Sequence, residues 1–437
     1  MTTTASRRGA PRGVAHFLAP VVAGFFNGHP PVRLRAWDCS EAGPADAPVV
    51  VLRHRDALRY VVARPGELGL ARAYVTGALD VEGDLTDALR RVGAGVRRHG
   101  TSPPGPGEWV RAARVLLALG AVGAPPPVPR GEARLRGRTH SRERDAAAVS
   151  HHYDAGNGIY ALLLDETMAY SCAYWPEDDP VATLADAQRA KLDLVCRELG
   201  LAEGSRLLDV GCGWGSLALH AARHYGARVT AVTLSAAQRD HVAARVREEG
   251  LDGAVEVELR HYRDIDRAGF DAVAAIEMGE HVGRNEYAPF ARRLRDLLRP
   301  GGRLLVQQMS RGSDQPGGGP FIERYIAPDM HMRPLGETVG LLEDAGLEVT
   351  GVRSLRGHYV RTARAWAAEL ERRRDDLVAL AGEETARVWR LYLAGGALAF
   401  EEGRMGVHQI SARRFGPEEA GPREAGAGEA GAGKVGA

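Results

Sequence analysis

Two acids and a histidine crowd one short turn, Ile276-Glu-Met-Gly-Glu-His-Val-Gly283. Glu277, Glu280 and His281 could stabilise developing positive charge there, or hold a proton acceptor beside a carbocation. The plainer alternative is a helix N-terminus decorated with acids, which the helix dipole favours anyway. Upstream, Asp209-Val-Gly-Cys-Gly-Trp-Gly215 sets Gly211, Gly213 and Gly215 at alternate positions, directly after the apolar run Leu207, Leu208 and Val210. A strand that stops in such a turn and feeds a helix offers free N–H groups and bare backbone to a nucleoside. The spacing is G-x-G-x-G, not the dinucleotide G-x-G-x-x-G, and it points towards S-adenosylmethionine instead of NAD. Thr233-Leu-Ser-Ala-Ala-Gln238 offers hydroxyls and an amide to a ribose where many dinucleotide sites carry an acid. Tyr262-Arg263-Asp264 stands where an adenine edge would sit. Each segment alone has an ordinary loop explanation; in this order, at successive strand ends, they describe a nucleoside site.

The elements that must position these residues are legible as alternation. Strands are expected at Arg206–Val210, Arg228–Thr233, Val255–Leu259, Phe270–Ile276, Arg303–Gln308 and Glu348–Leu355, with helices between them. Ser235 is a credible N-cap for a helix over Ala236–Glu249. Arg299-Pro-Gly-Gly302 reads as a tight turn before the fifth strand. Such alternation gives an α/β fold with a mainly parallel sheet, covered on both faces, whose ligands sit beyond the carboxyl ends of the strands. Ala363 to Phe400 reads as helical.

Before this region lies a smaller α+β unit. Val14, Phe17, Leu18, Val21, Val22, Phe25 and Phe26 recur at helical spacing around Pro20, as a helix packed on its own domain or facing lipid. Leu68–Val75 and Trp109–Ala121 read as helices, and Ala124-Pro-Pro-Pro-Val-Pro129 as a stiff connector. Arg130, Arg134, Arg136, Arg138, Arg142 and Arg144 follow, either as a solvated face or as a seat for anionic headgroups. The organisation expected is residues 1–124, a linker 125–149, a second domain 150–415, and a Gly/Ala/Glu-rich tail 416–437 that cannot bury a core.

Composition narrows the class. Among 437 residues, the net charge of +1 gives no nucleic-acid-like bias. Four cysteines without C-x-x-C spacing argue against a zinc site or a disulfide framework and fit a reducing cytoplasm. No signal peptide and no apolar run of about 18 residues is present, so no membrane span is expected.

Five stretches, Ser150-His-His-Tyr-Asp-Ala-Gly-Asn157, Tyr170-Ser-Cys-Ala-Tyr-Trp175, Leu208–Gly215, Val232–Ser235 and Glu280-His-Val-Gly283, resemble the cyclopropane-fatty-acyl-phospholipid synthases and mycolic acid cyclopropane synthases. The family includes actinobacterial fatty-acid C-methyltransferases. The resemblance covers about Ser150–Arg414, with a weaker match at Leu70–Asp84. It implies a Rossmann-like class I S-adenosylmethionine methyltransferase sheet with a smaller N-terminal α+β lipid-binding domain. It also implies cofactor contacts from Tyr170, Ser171, Asp209, Gly211, Cys212, Gly213, Trp214, Gly215, Thr233, Leu234, Ser235, Gln238, Tyr262 and Arg263. A bicarbonate ion near the substrate double bond is implied too. Among the positions matching its ligands, Cys172, Glu280 and Tyr359 keep the family's residue type.

This sequence departs from that pattern at two positions. Gln307 stands where the family has a bicarbonate-binding histidine, and Gly396 where it has a second cysteine. Glutamine donates a hydrogen bond but shuttles no proton. That change, with Gln307-Gln-Met-Ser310 and Ile410-Ser-Ala-Arg-Arg414, resembles the branch making 10-methylene stearoyl chains towards tuberculostearate. The catalytic set expected is Glu280, Cys172, Tyr359, Gln307 and His281, acting on an oleoyl-type phospholipid; ring formation and a soluble small-molecule substrate are the alternatives. Pro320 to Leu335, with Tyr325, Met330 and Met332, is expected to line the acyl slot. The enzyme is expected in the cytoplasm against the inner membrane face. A flavin- or NADPH-dependent reductase would complete a methylene product, no nucleic acid is involved, and self-association stays open.

Overall fold

The computed structural model describes residues 13–416 except 104, 134–136, 143, 146–156, 178, 180 and 315–316. The segment Ser150 to Gly156, Arg134, Arg136 and the tail from residue 417 therefore lie outside the described residues. The N-terminal part carries β1 (Arg33–Arg35), β2 (Glu41–Ala42), β3 (Val49–Leu52) and β4 (Leu79–Val81), in the order β2-β1-β3-β4. Its apolar face meets the helix Val14–Phe25, which keeps Pro20 inside it, through Val14, Ala15 and Leu18.

The larger sheet contains β5 (Arg206–Val210), β6 (Arg228–Thr233), β7 (Val255–Leu259), β8 (Phe270–Ile276), β9 (Leu298–Ser310), β10 (Leu347–Ser354) and β11 (Gly406–Arg414). The order is β10-β11-β9-β8-β5-β6-β7, and β9, β8, β5, β6 and β7 run parallel. Strand β11 runs antiparallel between β9 and β10. Period-two alternation makes the sheet two-sided: Leu208, Val273 and Val306 enter one core, and Leu207, Ala272 and Leu305 the other. The turn at Arg299–Gly302 is absorbed into β9, where the register with β8 slips between Phe270 and Ala272.

Two features tie the parts together. The helix Glu383–Glu401 gives Ala394 to the N-terminal core and Trp389, Leu393 and Phe400 to an aromatic core beside the large sheet. Its Arg387, almost fully buried, donates to the carbonyls of Tyr74 and Leu79 and pairs with Asp80. The connector is pinned by the Tyr60 hydroxyl donating to Pro127 O at 2.8 Å and by a two-pronged, buried Arg72–Glu132 pair. In the arginine run, Arg142 pairs with Asp264 at 3.0 Å on the exposed surface, and Arg144, half-buried, grips Asp329 at 2.6 and 2.8 Å.

Candidate active site

A cleft opens beyond the carboxyl ends of β5, β6 and β8, enclosing about 900 Å³ with its open mouth included. The strands end there because glycine permits it: Gly211, Gly213 and Gly215 all take positive φ, at 82°, 54° and 82°. A side chain on Gly213 would meet open space, whereas one on Gly211 or Gly215 would press on Met278 or Val242 at 3.0 Å. The loop does not leave all its N–H groups free, as the sequence suggests. Gly211 N and Cys212 N both donate to Val232 O, at 2.9 and 3.0 Å, and Gly215 N donates to Cys212 O. What it offers a ligand is bare backbone.

Gly211, Gly213, Thr233, Leu234, Gln238, Tyr262 and Arg263 line the cleft, as do Met278 and His281. Ser235 works one layer back: its hydroxyl accepts from Gln238 N at 3.2 Å, the N-cap expected of it. Thr233 Oγ1 donates to Gln238 Oε1 at 2.7 Å and sets that side chain. Arg263 lies over the Tyr262 ring and pairs with Glu286 at 3.0 Å. Cys212 and Trp214 are buried, the indole N–H donating to Asn157 Oδ1 at 3.1 Å. Burial pushes both the Cys172 and Cys212 thiols well up, away from thiolate character. His281 is held neutral by burial. Asp209 is 2 % exposed, and burial lifts its carboxyl to about 7 against the pull of Lys191. Its Oδ2 finds no hydrogen-bond partner, and Asp209 is not among the residues that line the cleft.

The end of β8, beside the glycine loop, carries the acids. Glu277 follows the last residue of β8 with φ of 50°, a left-handed conformation that costs a non-glycine residue energy and tends to mark functional turns. Glu277 lines the cleft, and its carboxylate accepts three hydrogen bonds. Cys172 N and Gln307 Nε2 donate to Oε1 at 2.7 and 2.9 Å, and the Tyr359 hydroxyl donates to Oε2 at 2.8 Å. Gln409, on β11, donates Nε2 to Gln307 Oε1 at 3.0 Å, which aims the Gln307 amide N–H at Glu277. Cys172, Gln307 and Tyr359 are thus brought together, around Glu277. Glu280 lies in the same turn, 1 % exposed, and accepts from Met309 N. Burial and the neighbouring Glu277 charge raise the Glu280 carboxyl well above the usual range. Burial also raises Glu277, while its three donors and Lys191 draw it back.

The Tyr170 hydroxyl donates to that of Tyr392 at 3.0 Å, in an aromatic cluster with Tyr160, Trp214 and Trp366. Ser171 Oγ accepts from Lys191 Nζ at 3.0 Å. Lys191, Gln409 and Arg333 have no counterpart in the residues expected from sequence. Arg333 is fully buried over Tyr287 and donates to the carbonyls of Val282 and Gly283, bracing the acidic turn. A lone Lys or Arg in a helical or loop pattern carries no sign of burial, so only the spatial arrangement reveals them. In the segment Pro320–Leu335, Tyr325 and Met332 are buried, and Phe321 and Tyr325 pack on Ala71 and Val75.

The model of the mycolic acid cyclopropane synthetases matches residues 140–410. The chain belongs to this family. A probable fatty acid methyltransferase of Mycobacterium tuberculosis is 38% identical over 415 residues, covering 89% of this chain and 92% of its own. The tuberculostearic acid methyltransferase UfaA1 of the same organism is 33% identical over 402 residues, 89% of each chain. Among solved structures, the mycolic acid cyclopropane synthase CmaA1 complexed with SAH and CTAB aligns with a TM-score of 0.58 at 32% identity, over 62% of this chain and 98% of its own. The family member described here is an enzyme with the sheet of the S-adenosylmethionine-dependent methyltransferases.

Proposed function

We propose that the enzyme methylates the double bond of an unsaturated, oleoyl-type acyl chain in a phospholipid and releases a 10-methylene-branched chain. The carrying observation is that Glu277, held by Gln307 and Tyr359, lines the same cleft as the glycine loop. When bound, S-adenosylmethionine supplies an electrophilic methyl group to the alkene. The Asp209–Gly215 turn, Gln238 and Tyr262 bind and orient it, while the acids after β8 stabilise positive charge left on the acyl chain. A hydride shift onto the neighbouring cation, followed by loss of a proton from the new methyl, gives the methylene. Relatives named as fatty acid methyltransferases, one of them for tuberculostearic acid, align along 89% of this chain and support this reading. Ring closure is the second reading, favoured by retention of Cys172, Glu280 and Tyr359.

Substrate comes from a membrane surface in this reading. The packed helices Val14–Phe25 and Pro106–Ala118 expose Phe17, Trp109, Val110 and Leu117, with Arg111 and Arg114 between them. Aromatic and aliphatic side chains interleaved with arginine suit the interface of an anionic bilayer, here its cytoplasmic face. No helix among the described residues is long and apolar enough to cross it. A flavin- or NADPH-dependent reductase would then saturate the methylene.

Incubation with oleoyl-phospholipid vesicles and S-adenosylmethionine, followed by ozonolysis of the released fatty acids, tests the product. An exocyclic methylene is cleaved to a mid-chain ketone, and a cyclopropane survives. A surviving ring as sole product overturns the methylene reading; no lipid product, with methylation of a soluble acceptor, overturns the substrate.

A further inference from the structure

We infer that Glu277 fills the seat of the family's bicarbonate ion and is itself the base that removes the proton from the transferred methyl. This rests on the reading of the reaction just given. A carboxylate and a bicarbonate present the same planar, anionic O–C–O edge to hydrogen-bond donors. In this chain the donors are spent on the carboxylate: Cys172 N and Gln307 Nε2 meet one oxygen and the Tyr359 hydroxyl meets the other. Cys172 and Tyr359 are positions where the resemblance implied ion ligands, and Gln307 stands at another; Glu280, also among them, accepts from Met309 N instead. A free anion added among them would bring a second negative charge against Glu277 in a site with little water to screen it. The residues present therefore do not fit bicarbonate.

The replacement of histidine by Gln307 follows from the same geometry. A neutral amide locked by Gln409 donates to a carboxylate permanently and never competes for its proton. Three donors and the buried Lys191 favour the charged form of Glu277 against the upward push of burial, while Glu280, with one backbone donor, is raised by burial and by that neighbour.

The step balances without a further reactant. The alkene π pair forms the new C–C bond as the methyl C–S bond breaks, leaving S-adenosylhomocysteine and a secondary cation. A hydride from the methyl-bearing carbon moves to the cationic carbon. Glu277 takes a proton from the methyl, the C–H pair becomes the exocyclic C=C, and the neutral acid later returns its proton to solvent through the cleft.

Two measurements decide it. The first is the line width of ¹³C-labelled bicarbonate with the full-length protein, which needs no substrate. Wild type should leave the signal sharp, and Glu277→Gly, which opens the seat at a φ glycine favours, should broaden it. The second is turnover in carbon-dioxide-free buffer. Wild type should change by less than about twofold when bicarbonate is restored. Glu277→Gln should lose about 100-fold or more in kcat while binding S-adenosylhomocysteine normally, which also certifies its fold. Bicarbonate broadened by wild type, wild-type turnover that collapses without carbon dioxide, or an active Glu277→Gln each overturns the assignment. If no unsaturated lipid is methylated under any condition, the reaction reading has failed, and the bicarbonate signal still decides who occupies the seat.

Discussion

Asp209→Asn should stabilise the ligand-free protein, and only above a definite pH. The Asp209 carboxyl sits at the end of β5 with 2 % exposure and an unpartnered oxygen, and burial lifts it from 3.8 to about 7. A carboxyl raised by folding contributes its full share of stability below its unfolded value, near 4. That share drains away as pH climbs to about 7, because the folded state must release a proton it holds tightly. At about 1.4 kcal/mol for each tenfold change in proton affinity, the gap comes to roughly 4 kcal/mol, an upper bound. Asparagine keeps the shape and has no proton to lose. Thermal melts of wild type and Asp209→Asn from pH 5 to 8.5 should therefore diverge with rising pH, by roughly 5 °C in a chain of this size. A melting difference that is flat across this range refutes the reasoning.

Three further outcomes are expected. Gln409→Leu touches no substrate, but it strands Gln307 Oε1 and frees the amide to turn its oxygen towards Glu277; kcat should fall about 10- to 100-fold, matching 1–3 kcal/mol for a broken buried pair, with cofactor affinity unchanged. Tyr359→Phe removes one of the three donors to Glu277, so its pKa rises further and the acid limb of the kcat–pH profile should move to higher pH; a shift to lower pH contradicts the donor role. Trp109→Glu, exposed and remote from the cleft, should abolish sedimentation with anionic vesicles while leaving S-adenosylhomocysteine binding intact, as calorimetry would show.

Much of the architecture was legible because its signals are local. The first four expected strands match β5 to β8 residue for residue, since apolar runs ending at Gly211, at Thr233 and at Glu277 are cut by turn chemistry within the segment itself. Strand β11 escaped. Gly406–Arg414 has no apolar alternation strong enough to announce a strand, and it becomes one by pairing on both sides with β9 and β10. The helix Leu85–His99 was also unmarked, although Asp84 caps it through Asp87 N. At the site, the types were readable and the partners were not. Glu277 and Glu280 look alike in a string of letters; three donors from residues 30 to 105 positions away make one of them the hub. Gln409 could not be found at all without β11.

The helix Glu383–Glu401 carries a consequence for anyone wishing to divide this protein. With one flank it completes the N-terminal core, and with the other it backs the aromatic wall behind Tyr359. Arg387, on the same helix, draws its acceptors from Tyr74, Leu79 and Asp80. A catalytic fragment cut free before residue 125 would expose apolar surface along that helix and leave a buried guanidinium without its acceptors. The solved relatives align with nearly their whole length to only part of this chain, yet the seam here is not a place where it can be unzipped. Grafting this N-terminal unit onto another methyltransferase, or exchanging it to alter lipid preference, would require carrying the helix across as well.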